Sequence, residues 1–135
     1  MTAEQKQLLI KDLSARLSHG VRCFIEDDYD VSRDGTLYEM DLDEGTCDFK
    51  DTGIGQGYWY TNVVNVKPYL RPMLSMTEDE KTELSDLLYK DFDGTLITYT
   101  RMDKVLSWLN QHHFDYRGLI EQGLALPAPE KMYNP

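Results

Sequence analysis

The spacing of apolar residues changes twice along this chain, and this change constrains the fold more than any other feature of the sequence. Leu9, Leu13 and Leu17 recur every four residues, which is typical of a helix. In residues 21–26 and 38–42, apolar and polar residues alternate, which is typical of strands. The last part returns to helical spacing. This order predicts an α+β fold in a single domain over residues 1–135, with a small antiparallel sheet or partly open β-barrel packed by N-terminal and C-terminal helices.

Helix starts and ends are marked by particular residues. Thr2 followed by Gln5, and Thr77 followed by Glu80, form capping boxes that satisfy the first backbone N–H groups of a helix. Gly20 is placed to end the first helix in a left-handed conformation. The predicted helices cover residues 2–20, 77–90 and 101–112, with a short fourth helix at 116–122.

The strand segments are rich in β-branched and aromatic residues and are separated by polar, glycine-containing stretches. Pro68 and Pro72 bracket an extended crossing that leads from the sheet to the helices. The predicted strands cover residues 21–26, 38–42, 47–49, 58–66 and 95–99, and the predicted loops between strands cover 27–35 and 53–57.

Nearly all of the net charge of −10 comes from one segment. Residues 26–51 contain eleven acidic and two basic residues, a net charge of −9. Such a field repels nucleic-acid phosphate, so we expect no direct nucleic-acid binding and predict a protein partner with a basic surface. The alternative is a solvated face that keeps strand edges from pairing with other molecules. The acidic residues of the predicted interaction surface are Asp27, Asp28, Asp30, Asp34, Asp43 and Glu44.

An aromatic cluster supplies the rest of this predicted surface. Tyr58, Trp59 and Tyr60 are consecutive, and alternation along a strand places the two tyrosines on one face and the tryptophan on the other. Tyrosine and tryptophan are enriched in protein interfaces, which favours a recognition role. Packing in the core is the alternative interpretation.

Residues 30–41 resemble an EF-hand calcium loop. Oxygen donors occupy positions 1, 3 and 5, glycine occupies position 6 and a carboxylate occupies position 12. The last carboxylate, Asp41, is shorter than the usual glutamate, and the flanking residues alternate as strands do. We therefore expect a hairpin loop. A cation site at Asp30, Asp34 and Asp41 is the alternative.

The sequence Asp91-Phe92-Asp93-Gly94-Thr95 resembles the nucleophile box of haloacid-dehalogenase-type phosphatases. In that family the first aspartate attacks phosphorus and the second handles the leaving-group proton. The family's box follows a buried strand, whereas residues 83–90 predict an amphipathic helix here. We therefore expect a turn between a helix and a strand.

Neither the histidines nor the cysteines form a metal-binding pattern. Adjacent helical residues such as His112 and His113 point about 100° apart, and Cys23 and Cys47 predict free thiols. No cofactor and no metal are predicted. The polar first residues and the absence of a long apolar run favour a cytoplasmic protein without a membrane span.

Two long motifs carry a family resemblance. They are residues 66–78 (VKPYLRPMLSMTE) and 108–125 (WLNQHHFDYRGLIEQGLA), together with the opening segment 8–21. The chain resembles a family of short proteins without an assigned reaction, found in Bacteroides-type gut bacteria and in their phages or mobile elements. The resemblance implies an intracellular bacterial or prophage setting and assigns no catalytic residue.

These observations predict a non-enzymatic protein-binding or accessory protein of prophage or mobile-element origin, with an acidic interaction face. Two other classes stay open. One is a small metal-dependent or hydrolytic enzyme that uses Asp30, Asp34 and Asp41, or Asp91 and Asp93. The other is a structural homo-oligomer.

Overall fold

A computed structural model describes residues 1–26, 32–50, 59–90 and 99–133. Within these ranges the chain forms three α-helices and six strands, which confirms the predicted α+β class. The helices are α1 (Ala3–Arg16), α2 (Glu78–Tyr89) and α3 (Tyr99–Gln111), and the strands are β1 (Arg22–Glu26), β2 (Ser32–Asp41), β3 (Thr46–Lys50), β4 (Trp59–Asn62), β5 (Val66–Leu70) and β6 (Leu126–Pro127). Across the described ranges, none of the helices combines the length and the apolar character needed to cross a bilayer.

The six strands form one open sheet in the order β4-β3-β2-β1-β5-β6. The neighbouring pairs are antiparallel except β5 and β6, which are parallel. The predicted α+β sheet is therefore confirmed as an open sheet that does not close into a barrel, and it is mixed because of this one parallel pair. The parallel pair is possible because a long connection containing α2 and α3 returns the chain to the β5 edge in the same direction.

Strand β2 is longer than predicted, because it begins at Ser32 inside the segment predicted to be a loop. The polar residues at its start pair with β1, with Gly35 opposite Cys23 and Asp34 opposite Phe24. Pairing with a neighbouring strand thus overrides the low strand propensity of aspartate and glycine. A register shift after Leu37 lets both Leu37 and Met40 pack toward the core.

The predicted strand 58–66 is interrupted. A 3-10 turn at Val63–Asn65 separates β4 from β5. The Asn62 side chain accepts the N–H of Val64, and the N–H of Val63 donates to the carbonyl of Gly45. These bonds turn the chain and bury the Val63 side chain. The segment predicted as an extended crossing instead contributes strand β5, which includes Pro68.

Two predictions near the later helices are corrected. Residues 116–122 form turns rather than a helix, because the Asp115 carboxylate accepts the N–H groups of Leu119 and Ile120 and Gly118 adopts a left-handed φ of 73°. Tyr99 begins α3 instead of ending a strand. The remainder of the predicted 95–99 strand lies outside the described residues.

The core lies between α1 and the inner face of the sheet. Leu9 and Leu13 of α1 are fully buried, as the leucine spacing predicted. A second, smaller cluster is built from α2 and α3 around Trp108 and Phe114. The opposite, outer face of the sheet carries exposed side chains, including Glu39 and Tyr60. The sheet therefore presents one of its faces to solvent.

Candidate functional site

The predicted interaction residues that can be located lie on the sheet or in one of its turns. Asp34 is on β2, Asp43 and Glu44 are in the β2–β3 turn, and Tyr60 is on β4. Trp59 is the first residue of β4, where its Cα pairs with that of Phe49. Asp27, Asp28, Asp30 and Tyr58 lie outside the described residues.

Three of the outer-face residues form a row across neighbouring strands. Glu39 on β2 is opposite Asp48 on β3, and Asp48 is opposite Tyr60 on β4. Side chains in such directly opposed positions lie about 5 Å apart at Cβ. Partial burial and the nearby carboxylates of Glu39 and Asp41 raise the pKa of Asp48. The sheet thus holds like charges together, and we call Glu39, Asp48 and Tyr60, together with the nearby Asp41, the acidic row.

The aromatic member of the acidic row is accessible. Tyr60 is 70% exposed, so its ring on the edge strand β4 is open to a partner. A second tyrosine of this sheet, Tyr38, has the ammonium of Lys50 5.8 Å from its ring centroid. That contact is of the cation–π type, which a basic side chain of another molecule could also make with Tyr60.

The β2–β3 turn extends this surface. Asp41 Oδ1 accepts the backbone N–H groups of Asp43 and Glu44, so the turn is held by its own first carboxylate. The carboxylates of Asp43 and Glu44 are exposed beyond it. Asp34 has a different role, because it accepts a 2.7 Å hydrogen bond from the Tyr69 hydroxyl. Burial and this bond raise the pKa of Tyr69 to about 12.

The structure does not support an EF-hand in residues 30–41. Ser32–Asp41 is a strand, so Asp34 and Asp41 lie seven residues apart along extended chain, roughly 23 Å at the usual strand rise. They cannot bind one ion together. Across the described ranges, no group of three or more His, Cys, Asp or Glu residues is arranged to hold a metal. Asp30, Asp91 and Asp93 lie outside those ranges.

Both cysteines are free, as predicted, and the structure buries both of them. Burial raises the pKa of Cys47 to about 12, and burial together with the nearby Cys47 raises the pKa of Cys23 well above its ordinary value. The two thiols therefore stay protonated at neutral pH. Protonated, buried thiols are poor nucleophiles.

A buried ionic cluster escaped the sequence reasoning. Asp12 and Arg16 of α1 are fully buried and form a two-bond ion pair, with Arg16 Nε 2.9 Å from Asp12 Oδ2. Arg117 donates to the other Asp12 oxygen at 2.8 Å, and Arg16 donates to the Phe114 carbonyl at 2.6 Å. Their helical spacing could have predicted this burial, because Asp12 and Arg16 fall on the same side of α1 as the buried Leu9.

The end of α3 holds a second residue that was missed. His113 has a left-handed φ of 62°, and the N–H of Phe114 reaches back to the Leu109 carbonyl. Together with the bond from His113 N–H to the Asn110 carbonyl, this is a Schellman motif, in which glycine is the usual residue. Burial and nearby cationic groups, Arg16 first among them, lower the pKa of His113 to about 3. The imidazole is therefore neutral.

The two long sequence motifs, residues 66–78 and 108–125, meet at this place. Arg71 pairs with Phe114 across a short parallel bridge and lies over the Phe114 ring at 4.2 Å. Its guanidinium binds both oxygens of Glu80 at 2.6 Å. This pairing lowers the pKa of Glu80 to about 2. These contacts explain the motifs as a structural junction between β5, α2 and the end of α3.

Beside this junction lies a cavity of about 450 Å³, bounded by residues 71–77 and by the segment 127–133. No protein-family model, curated protein or solved structure matched the chain.

Proposed function

We propose that this chain is a non-enzymatic protein-binding protein, and that the acidic row on the outer sheet face binds a basic surface of a partner protein. The observation that carries the proposal is the placement of Glu39 directly opposite Asp48, with the exposed ring of Tyr60 next to them. Like charges in directly opposed strand positions destabilise a sheet. A basic partner would relieve that repulsion on binding.

The proposed partner follows from charge complementarity. The three carboxylates of the acidic row belong to the segment 26–51, whose net charge is −9. Lysine and arginine side chains can pair with the carboxylates, and their alkyl stems and cationic groups can pack on Tyr60. Electrostatic complementarity of this kind mainly accelerates association and selects the partner, and salt weakens it.

The first test uses an oligo-arginine peptide as the probe, with binding measured by calorimetry at 50 mM and 300 mM salt. We expect affinity to fall steeply with salt, because exposed charges are screened over about 10 Å at 0.1 M ionic strength. A peptide of equal length with citrulline in place of arginine should not bind. Affinity that is unchanged between the two salt concentrations would contradict the proposal.

A matched pair of double variants separates this surface from net charge. Glu39→Gln with Asp48→Asn removes two charges from the acidic row, whereas Asp103→Asn with Glu121→Gln removes two exposed charges outside the sheet. We expect only the first pair to weaken binding strongly. An equal loss from both pairs would show that net charge, and not the acidic row, attracts the probe.

We also propose the prophage or mobile-element setting, supported by the resemblance of residues 66–78 and 108–125. Flanking phage or conjugation genes in the genome of origin would agree with this setting. A conserved position within an operon for central metabolism would contradict it.

A further inference from the structure

The hydroxyl of Tyr133 fills a gap between two strands. The register of β1 and β5 ends at Cys23 opposite Pro68, so the next residues, Arg22 and Tyr69, do not continue the ladder. Instead, the Tyr133 hydroxyl accepts the Arg22 N–H at 2.9 Å and donates to the Tyr69 carbonyl at 2.7 Å. We call this gap the notch. A hydroxyl group satisfies it, because its backbone groups need both an acceptor and a donor.

The ring of Tyr133 is held as specifically as its hydroxyl. It stacks on the imidazole of His113, with 3.8 Å between the ring centroids and 20° between the planes. His113 is itself fixed by the Schellman motif at the end of α3. The wall of the notch is therefore preorganised by strands and a helix end, and does not depend on the segment that carries Tyr133.

The segment 129–133, which carries Tyr133, reaches the notch through a turn that contains one strained residue. The N–H of Met132 donates to the Pro129 carbonyl, which closes a four-residue turn over 129–132. Lys131, at the third position of this turn, has a φ of 72°. Glycine or asparagine is the usual residue where a turn needs positive φ, because a side chain there is strained. Opening the turn would remove this strain.

We propose that the turn 129–132 is a hinge, and that Tyr133 of one molecule can occupy the notch of a second copy of this chain in a reciprocally exchanged dimer. The occupant is a second copy because the same side chain already fits the notch within one chain. The contacts made between chains would equal those made within a chain, so the hinge and the protein concentration decide the balance. Extending four residues can move Tyr133 by about 13 Å.

At low protein concentration, the contact within one chain is favoured over the contact between two chains. A short connection gives an intramolecular contact an effective concentration of about 1 mM or more. Exchange therefore needs a comparable protein concentration during refolding. In two separate monomers, both turns are strained at Lys131. In the exchanged dimer both turns are open, so the strain energy of two lysine residues is released and favours the dimer.

The test mixes two differently tagged preparations, unfolds them together, refolds them at about 1 mM and captures one tag at that same concentration. We expect co-capture of the second tag and a species of twice the 15.7 kDa chain mass. Lys131→Gly relaxes the turn in the monomer and should lower the co-captured fraction by about tenfold or more. Lys131→Ala is the matched control, because it removes the same charge but keeps the strain, and should behave as the wild type does.

A second measurement identifies the contact directly and uses only the wild-type chain. In a dimer refolded from isotope-labelled and unlabelled chains, we expect nuclear Overhauser contacts between the Tyr133 ring of one chain and the His113 ring of the other. The proposal is overturned if wild type shows no co-capture. It is also overturned if co-capture occurs without this contact, or if Lys131→Gly and Lys131→Ala give equal fractions; self-association would then belong to another surface, such as the 99% exposed Leu74.

Discussion

Glu39 on β2 and Asp48 on β3 stand directly opposite each other in an antiparallel register, both on the outer face of the sheet. The usual stabilising pair at such positions has opposite charges or two apolar side chains. Here the pairing costs stability, and partial burial together with the Glu39 carboxylate raises the pKa of Asp48. A surface that keeps an unfavourable pair is a candidate for binding, because function is often maintained at the expense of stability.

Glu39→Gln should make the fold more stable while it weakens binding of the oligo-arginine probe. Removing one of two opposed charges relieves repulsion worth roughly 0.2–1 kcal/mol. Urea unfolding measures the stability, and Glu121→Gln serves as a control of equal charge change on an exposed residue outside the sheet. A loss of stability in Glu39→Gln would show that this carboxylate stabilises the fold.

Asp12→Ala should destabilise the protein severely. It leaves the fully buried guanidinium of Arg16 and the largely buried one of Arg117 without their shared carboxylate. Breaking a buried ion pair on one side costs about 3–5 kcal/mol. Chemical denaturation measures the change. Asp103→Ala, at an exposed position on α3, should stay within about 0.5 kcal/mol of wild type, and an equally mild effect of Asp12→Ala would contradict the assignment.

His113 should make stability depend on pH between 6.5 and about 3. Its pKa is lowered to about 3 in the folded protein, so the unfolded chain takes up the proton first as the pH falls. The contribution of the neutral His113 to the free energy of unfolding is complete above pH 6.5. It is lost as the pH falls toward 3, at up to about 1.4 kcal/mol per pH unit. His113→Asn tolerates the left-handed φ and removes the titrating group. Urea unfolding at several pH values from 7 to 4.5 measures the free energy of unfolding. This free energy should change less with pH for the variant than for wild type.

Glu80 should act in a lower pH window. Its pKa is lowered from 4.5 to about 2, chiefly by the hydrogen bonds from Arg71. The folded state therefore keeps its carboxylate charged after the unfolded chain has been protonated, and the stability it contributes is lost as the pH falls from 4.5 toward 2. The total is about 3 kcal/mol as an upper bound. Glu80→Gln should lose this acid sensitivity while keeping the sensitivity above pH 4.5 that His113 causes.

Tyr133→Phe should cost about 1–3 kcal/mol, because it leaves the Arg22 N–H and the Tyr69 carbonyl without their common partner. Tyr60→Phe removes the same hydroxyl from an exposed ring and should be nearly neutral. Thermal unfolding of the two variants compares them directly. Equal melting temperatures would mean that water replaces the hydroxyl in the notch.

Local signals predicted the elements whose ends depend on nearby residues. The capping boxes at Thr2 and Thr77 are formed, and Gly20 adopts the left-handed conformation expected after α1. The fourth helix failed for a reason that is also local, since Asp115 takes up backbone N–H groups of Leu119 and Ile120 that a helix would use internally. Periodicity could not show this competition.

The acidic segment was visible in the sequence, whereas the site within it was not. The predicted surface included Asp34, Asp43 and Glu44, whereas the proposed acidic row is centred on the opposed pair Glu39 and Asp48. Which carboxylates become neighbours depends on strand register, and the shift after Leu37 could not be read from alternation alone.

The sequence by itself determined the α+β class, the main helix starts, the buried leucines of α1 and the concentration of negative charge in one segment. These depend on interactions within a few residues or on composition. Only the tertiary structure decided that Asp12 and Arg16 would be buried as an ion pair and that Glu39 would lie opposite Asp48. It also decided that the Tyr133 hydroxyl would bond to the backbone of Arg22, which is 111 residues earlier in the chain. Such contacts join distant parts of the chain, and their energies exist only once the strands and helices have packed in one particular register.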